Sequence, residues 1–209
     1  SNKETGLRRI TEDLKHYLFP AWGPSLSMDR EDTCEFLIRY VESDSLRKHC
    51  IATAAIMRGL AVHFGEDADL WEAIGILHDV DYETVGGDMA RHGVEGAALL
   101  RREGFPEEIC RAVERHNHLL SGPYTQTVDR SLQSADSISG FLIACALVKG
   151  GAITDVTPGT VKKKLKDRTF AAGCERDRIA SVNGLIDPTL FYEIAIASLA
   201  GRRDELGLR

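Results

Sequence analysis

The residues best suited to chemistry lie in the stretch 74–83, Ile-Gly-Ile-Leu-His-Asp-Val-Asp-Tyr-Glu. There an apolar run over 70–77 ends abruptly in His78 and Asp79, and the acids Asp81 and Glu83 follow. Neutral imidazole and carboxylate are natural ligands for a borderline divalent metal. Burying them at the end of an apolar segment costs desolvation energy that a bound cation would offset. A His-Asp doublet by itself is more commonly a histidine with its carboxylate partner, so metal chemistry needs ligands from elsewhere in the chain. His49, His92, His116 and Asp136 are available. Each falls near a helix end or on an apolar helix face, and with the doublet they come from at least four elements. Helical bundles build metal sites from ligands scattered in this way over their inner faces.

The elements that must position these residues are helices. Leu7, Ile10, Leu14 and Leu18 recur at helical spacing and predict a helix over 4–18, broken by Pro20, Gly23 and Pro24. A second is expected over 30–41, with Phe36, Leu37 and Tyr40 as its apolar side. Ser43 or Ser45 can cap a third, over 46–64, whose buried stripe includes His49, Cys50, Thr53, Ala54, Met57 and Leu60. Gly65 ends it, and the helix that closes on the doublet follows. Beyond Gly86-Gly87 the pattern predicts helices through 97–102 and, after Gly104-Phe105-Pro106, over 107–116. A long helix over about 128–148 carries Asp136 in its middle, Pro158 opens a lysine-rich helix over 161–166, and a last helix spans about 188–206. Strand alternation is absent beyond four residues. The fold class expected is all-α, with an N-terminal helical extension over 1–28, a metal-binding core over 29–150, and helices of 151–209 packed on that core as part of the same domain.

Composition narrows the function classes. The chain has 209 residues, with 26 Lys plus Arg against 32 Asp plus Glu and a net charge of -6. That balance argues against broad nucleic-acid binding. The five cysteines show no C-x-x-C spacing and mostly sit in apolar helical contexts, which reads as reduced core thiols. With no apolar stretch of membrane-spanning length, the expected location is the cytoplasm.

The order His49, then His78-Asp79, then Asp136 resembles the HD superfamily of metal-dependent phosphohydrolases, and His92 with His116 resembles the extra pair of its dinuclear (HDIG-type) members. Further stretches resemble a bacterial group of predicted HD hydrolases: Leu-His-Asp-Val-Asp-Tyr-Glu, His116-Asn117, Ala135 to Gly140 and Lys162 to Ala171. The resemblance implies an HD-domain helical bundle that hydrolyses a small phosphoester or nucleotide with metal-activated water. It also implies catalytic roles for His78 and Asp79, and two divalent ions per chain. Asp79 would bridge them, with His49, His78 and Asp136 completing one site and His92 and His116 the other. Iron or manganese suits this histidine-rich set best, with zinc, nickel, cobalt and magnesium as alternatives. Where many dinuclear members carry a lysine three residues after the doublet's aspartate, this chain has Tyr82. The same six ligands also resemble those of HD-type di-iron oxygenases, and a non-catalytic metal-containing binding module is the other alternative.

The partner expected is a small phosphorylated substrate. Cations that could meet it include Lys48 and Arg115, each preceding a candidate ligand, as Arg91 does. Lys163 and Lys166 of the lysine run are the other candidates, because an apolar edge of Val161 and Leu165 spreads the lysines around the rest of that helix. His118, His63 and His16 read as residues outside the site. Asp81 and Glu83 fit equally well as acids supporting the ligands and as surface acids.

Overall fold

Side chains that cap backbone N–H groups set where the helices begin. The computed structural model describes residues 29–209; the helix expected over 4–18, with His16, lies outside the described residues. Helix α1 (Arg30–Tyr40) starts at Asp29, whose carboxylate accepts from the Glu31 N–H. Helix α2 (Asp44–Phe64) starts at Ser43, whose hydroxyl accepts from the Leu46 N–H, and stops at Gly65, which takes the left-handed conformation at φ 72°. Of the two candidate caps, Ser43 holds the position, and Ser45 hydrogen-bonds to it. Helix α3 (Ala68–Leu77) starts at Asp67, which accepts from Asp69 and Leu70. A run of turns from 78 to 93 then leads to α4 (Val94–Arg102) and α5 (Glu107–His116). Helix α6 (Thr127–Leu147) is followed by a 3-10 turn (Ile153–Asp155) and by α7 (Pro158–Leu165). The chain closes with α8 (Arg176–Ile179), a second 3-10 turn (Ala180–Val182), α9 (Pro188–Gly201) and α10 (Arg203–Leu206).

Among the described residues the fold is all-α, with one isolated bridge between Asn183 and Ile186 and no longer β-structure. Two elements depart from the periodicity. The expected last helix divides at Arg202, whose φ of -116° leaves the helical region, into α9 and α10. Helix α8 was not anticipated, because four residues are too few to show a period.

Helix α2 is the axis of the bundle, packing on α3, α6 and α9. The α2–α3 crossing is unusually close. A Cβ added to Gly75 would lie 2.4 Å from the Ala54 Cα, so only glycine lets the helices meet there. On the α9 side Gly59 makes a similar allowance, its Cβ position falling 2.5 Å from the Ser198 hydroxyl. Phe36, Ile56, Met57, Leu60, Ile74, Leu77, Leu100, Ile109, Phe141 and Phe191 fill the core between these faces. Burial of this apolar surface is the main force holding α2, α3 and α6 in register, and these three helices carry His49, His78 and Asp136.

Candidate metal centre

Each candidate ligand comes from a different structural setting. His49 lies in the first turns of α2, and His78 is the residue at which α3 ends. Asp79 and His92 stand at opposite ends of the turn-rich segment, His116 is the last residue of α5, and Asp136 is in the middle of α6. The fold brings all six together. The Asp79 carboxylate stands between two histidine pairs. Its Oδ1 lies 3.3 Å from Nε2 of both His92 and His116. Its Oδ2 lies 3.4 Å from Nε2 of His78 and 3.6 Å from Nε2 of His49. Asp136 joins the second pair, with Oδ1 3.1 Å from His49 Nε2 and 3.9 Å from His78 Nε2. His78, His92 and His116 are buried, and the His49 side chain is partly exposed.

The partners of the outward ring nitrogens fix the tautomers. A carbonyl can only accept, so His78 Nδ1 donates to Gly75 O at 2.8 Å and His116 Nδ1 donates to Val113 O at 2.5 Å. His92 Nδ1 donates to Asp81 Oδ1 at 2.9 Å. The Ser139 hydroxyl spends its hydrogen on the Asp136 carbonyl and accepts from Thr53, so His49 Nδ1, 3.2 Å away, donates to it. A neutral imidazole has one donor and one acceptor nitrogen. In its neutral form each of these rings therefore presents the Nε2 lone pair inward. Yet Nε2 of His92 and His116 stand 2.9 Å apart, and those of His49 and His78 stand 3.2 Å apart. Two lone pairs at such distances repel unless something positive lies between them. The donor set thus fits divalent metal. Two groups, His49-His78-Asp79 and Asp79-His92-His116, each bring their ligand atoms within 4.8 Å of one another and could hold an ion.

Without metal, protons must relieve the same repulsion. Burial, the largest influence, holds the His78 imidazole down at about 4. Burial also opposes charge on His92, but hydrogen bonds to Asp79 and Asp81 and their negative charges outweigh it and raise His92 to about 9. His49 is raised in the same sense, with burial opposing and Asp136 prevailing. Burial pushes the carboxyl groups of Asp79 and Asp136 up, yet the surrounding histidines, joined at Asp136 by Arg178, hold both below the usual range.

Residues around the cluster divide sharply. Asp81, buried at 1% exposure, accepts from His92 Nδ1 and from the N–H groups of Gly93 and Gly96. A Cβ at Gly96 would come within 3.0 Å of that carboxylate, so glycine there makes room for it. Glu83 faces away and accepts from the N–H groups of Glu42 and Ser43, securing the α1–α2 connection. Tyr82 lies edge-on to His92, ring centroids 5.2 Å apart. Asn117 follows the last residue of α5. It is buried and donates to the carbonyls of Met89 and His92, locking the loop that carries His92 to the end of α5.

The four cations considered for substrate have other surroundings. Lys48 pairs with Asp44 on α2. Arg115 donates to buried Asp129 at 3.0 Å and lies over the Tyr124 ring. Lys163 and Lys166 are exposed on and just beyond α7. Arg91, the remaining basic neighbour, pairs with Glu95. The cation in contact with the cluster is Arg178 of α8, which sequence reasoning missed; its Nη2 donates to Asp136 Oδ2. Its only signal in the sequence was a basic residue in a short segment without periodicity.

Known proteins share this part of the chain. Residues 46–141 match the HD domain family. Ribonuclease Y of Thermobifida fusca is 33% identical over 93 residues, 44% of this chain and 18% of that protein. The tRNA (cytidine(56)-2'-O)-methyltransferase of Thermoplasma volcanium is 32% identical over 88 residues, 42% of this chain and 25% of its own length. An uncharacterised protein of Methanocaldococcus jannaschii is 31% identical over 85 residues, 38% of this chain and 49% of the relative. The chain thus spans less than half the length of each of these relatives. No solved structure matches it significantly. The segment that matches the HD domain family contains all six clustered residues, His49, His78, Asp79, His92, His116 and Asp136.

Proposed function

We propose that the protein is a metal-dependent phosphohydrolase with two divalent ions per chain, held by the six clustered residues. The observation that carries this reading is the division of Asp79. One oxygen faces His92 and His116, the other faces His49 and His78, and all four imidazoles turn Nε2 towards it. A carboxylate so placed would be a ligand shared by both groups, His49-His78-Asp79 and Asp79-His92-His116. Asp136 adds a second carboxylate on the His49-His78 side. Ions bound there would lower the pKa of a water and polarise a phosphoryl oxygen, and two ions about 3.5–4 Å apart clamp both attacking and leaving oxygens. The chain's own part is to hold the imidazole rings in one orientation through Gly75, Val113, Asp81 and Ser139, and to shield His78, His92 and His116 from solvent by burial. Iron or manganese suits this donor set.

Two substrate classes remain in play. A small phosphoester or nucleotide accords with the net charge of -6, which disfavours broad nucleic-acid binding. The similarity to ribonuclease Y favours a second reading, an RNA phosphodiester, over an exclusively small substrate. Elemental analysis combined with turnover of nucleotides, sugar phosphates and short single-stranded RNA tests both. Two metals per chain with turnover of a phosphoester are expected. A protein without metal, or metal-loaded protein inert towards the whole set, would refute the proposal. Cleavage confined to RNA would select the second reading.

A further inference from the structure

Arg178 touches the cluster although none of the metal-facing atoms needs it. Its Nη2 donates to Asp136 Oδ2, the oxygen turned away from the histidines, and its Nε donates to Gln133 Oε1 at 2.8 Å. Gln133 in turn donates to the carbonyl of His116, so the guanidinium is braced from both sides of the site. Its Nη1 lies 3.7 Å from Glu175 Oε1, too far for a hydrogen bond. Of the five N–H donors of a guanidinium, those on Nη1 and one on Nη2 remain for a ligand. The side chain is 17% exposed, which leaves a route from solvent. Glu175, which is exposed, also places Oε2 3.4 Å from His118 Nε2. It therefore stands between two cationic or potentially cationic partners and can be drawn to either.

On the reading that the cluster hydrolyses phosphoesters, we propose that Arg178 binds the phosphoryl group of the substrate. Glu175 is then a displaceable counter-ion, which swings to His118 when the anion arrives. A planar fork suits two phosphoryl oxygens, and Asp136 and Gln133 pre-set its plane. The alternative is that Arg178 only neutralises Asp136.

The test uses the full chain loaded with Mn²⁺, calorimetric titration with inorganic phosphate, and elemental analysis of each variant. R178K keeps a cation beside Asp136 but loses the fork. It should retain metal and bind phosphate about tenfold more weakly, and R178A should bind more weakly still. E175Q should retain metal and bind phosphate several-fold more tightly. R178K with full metal and wild-type phosphate affinity overturns the proposal, as does loss of metal from R178K, which would assign Arg178 to Asp136 alone. Unchanged or weaker phosphate binding by E175Q removes the counter-ion role. Wild-type protein that holds Mn²⁺ but binds no phosphate overturns the phosphohydrolase reading itself, whatever the variants do.

Discussion

An imidazole that donates through Nδ1 has only its Nε2 lone pair for a cation, and the nature of the Nδ1 partner sets how basic that lone pair is. His78 and His116 are backed by carbonyls and His49 by a hydroxyl, whereas His92 is backed by the buried Asp81 carboxylate. A carboxylate behind a ligating histidine fixes its orientation and raises its basicity, and losing such a partner costs about 10–100-fold in metal affinity. Asp81→Asn should therefore weaken one metal by that factor while the other stays bound, bringing elemental analysis from two ions towards one. Two tightly held ions in that variant would show that Asp81 serves only the fold. The proton on His92 gives a pH prediction for chelator-treated protein. Its folded-state value, about 9, lies above the ordinary imidazole value of 6.5. The charged form thus stabilises the metal-free fold fully below about pH 6.5, and that contribution disappears as pH rises through about 9. The Tm of metal-free protein should fall across this window, and metal binding at pH 7 should release a proton, read calorimetrically in buffers of different ionisation heat. A flat Tm and no proton release would count against the assignment.

At the level of elements, the α2–α3 crossing decides whether His49 and His78 meet. Gly75 contributes twice, by admitting Ala54 at the crossing and by offering its carbonyl to His78 Nδ1. Gly75→Ala improves helix propensity by roughly 1 kcal/mol. It also drives a Cβ to 2.4 Å from backbone, which cannot rotate away as a side-chain tip could. Overpacking of this kind costs on the order of 1–3 kcal/mol, so the clash should win. A Tm lowered by several degrees together with reduced metal content is expected; an unchanged Tm would mean that the helices separate without cost.

Across the whole molecule, Glu72 ties the helices that carry His49 and His78 to the end of the chain. It is 4% exposed, yet Arg30 of α1, Arg58 of α2 and Arg202, between α9 and α10, all reach its two oxygens, at 3.1, 2.9 and 3.1 Å. Glu205 of α10 adds a second anion for Arg30 and Arg202. Removing a buried partner is costly, but the arginines are partly exposed and screened, so Glu72→Gln should cost about 2 kcal/mol rather than the full value for a dry pair. The loss should shrink at high salt, with metal content retained. If metal were lost in step with Tm, the network would be supporting the site directly. No helix among the described residues is long and apolar enough to cross a membrane.

What the sequence determined by itself was local. Periods of 3.6 residues, a Ser cap, the glycine stop at Gly65 and the Gly104-Phe105-Pro106 punctuation placed α2, α5 and α6 within a residue or two, because these signals act within one or two turns. Covalent adjacency put His78 beside Asp79, and the mix of imidazole and carboxylate pointed to metal. The tertiary structure decided everything that depends on contact between elements. Asp81 and Glu83 were equivalent in the sequence, two positions apart beside the same doublet, yet one orients His92 and the other caps backbone on the far side of the turn. Lys48 and Arg115 adjoin ligands in sequence but turn to Asp44 and Asp129, since neighbours on a helix point about 100° apart. Arg178 reaches Asp136 from 42 residues away, through a four-residue helix with no periodic signature. Spacing along a chain fixes angles around one helix axis. Which cation meets which carboxylate is set by how separate helices pack, and that is decided by burial of the whole core.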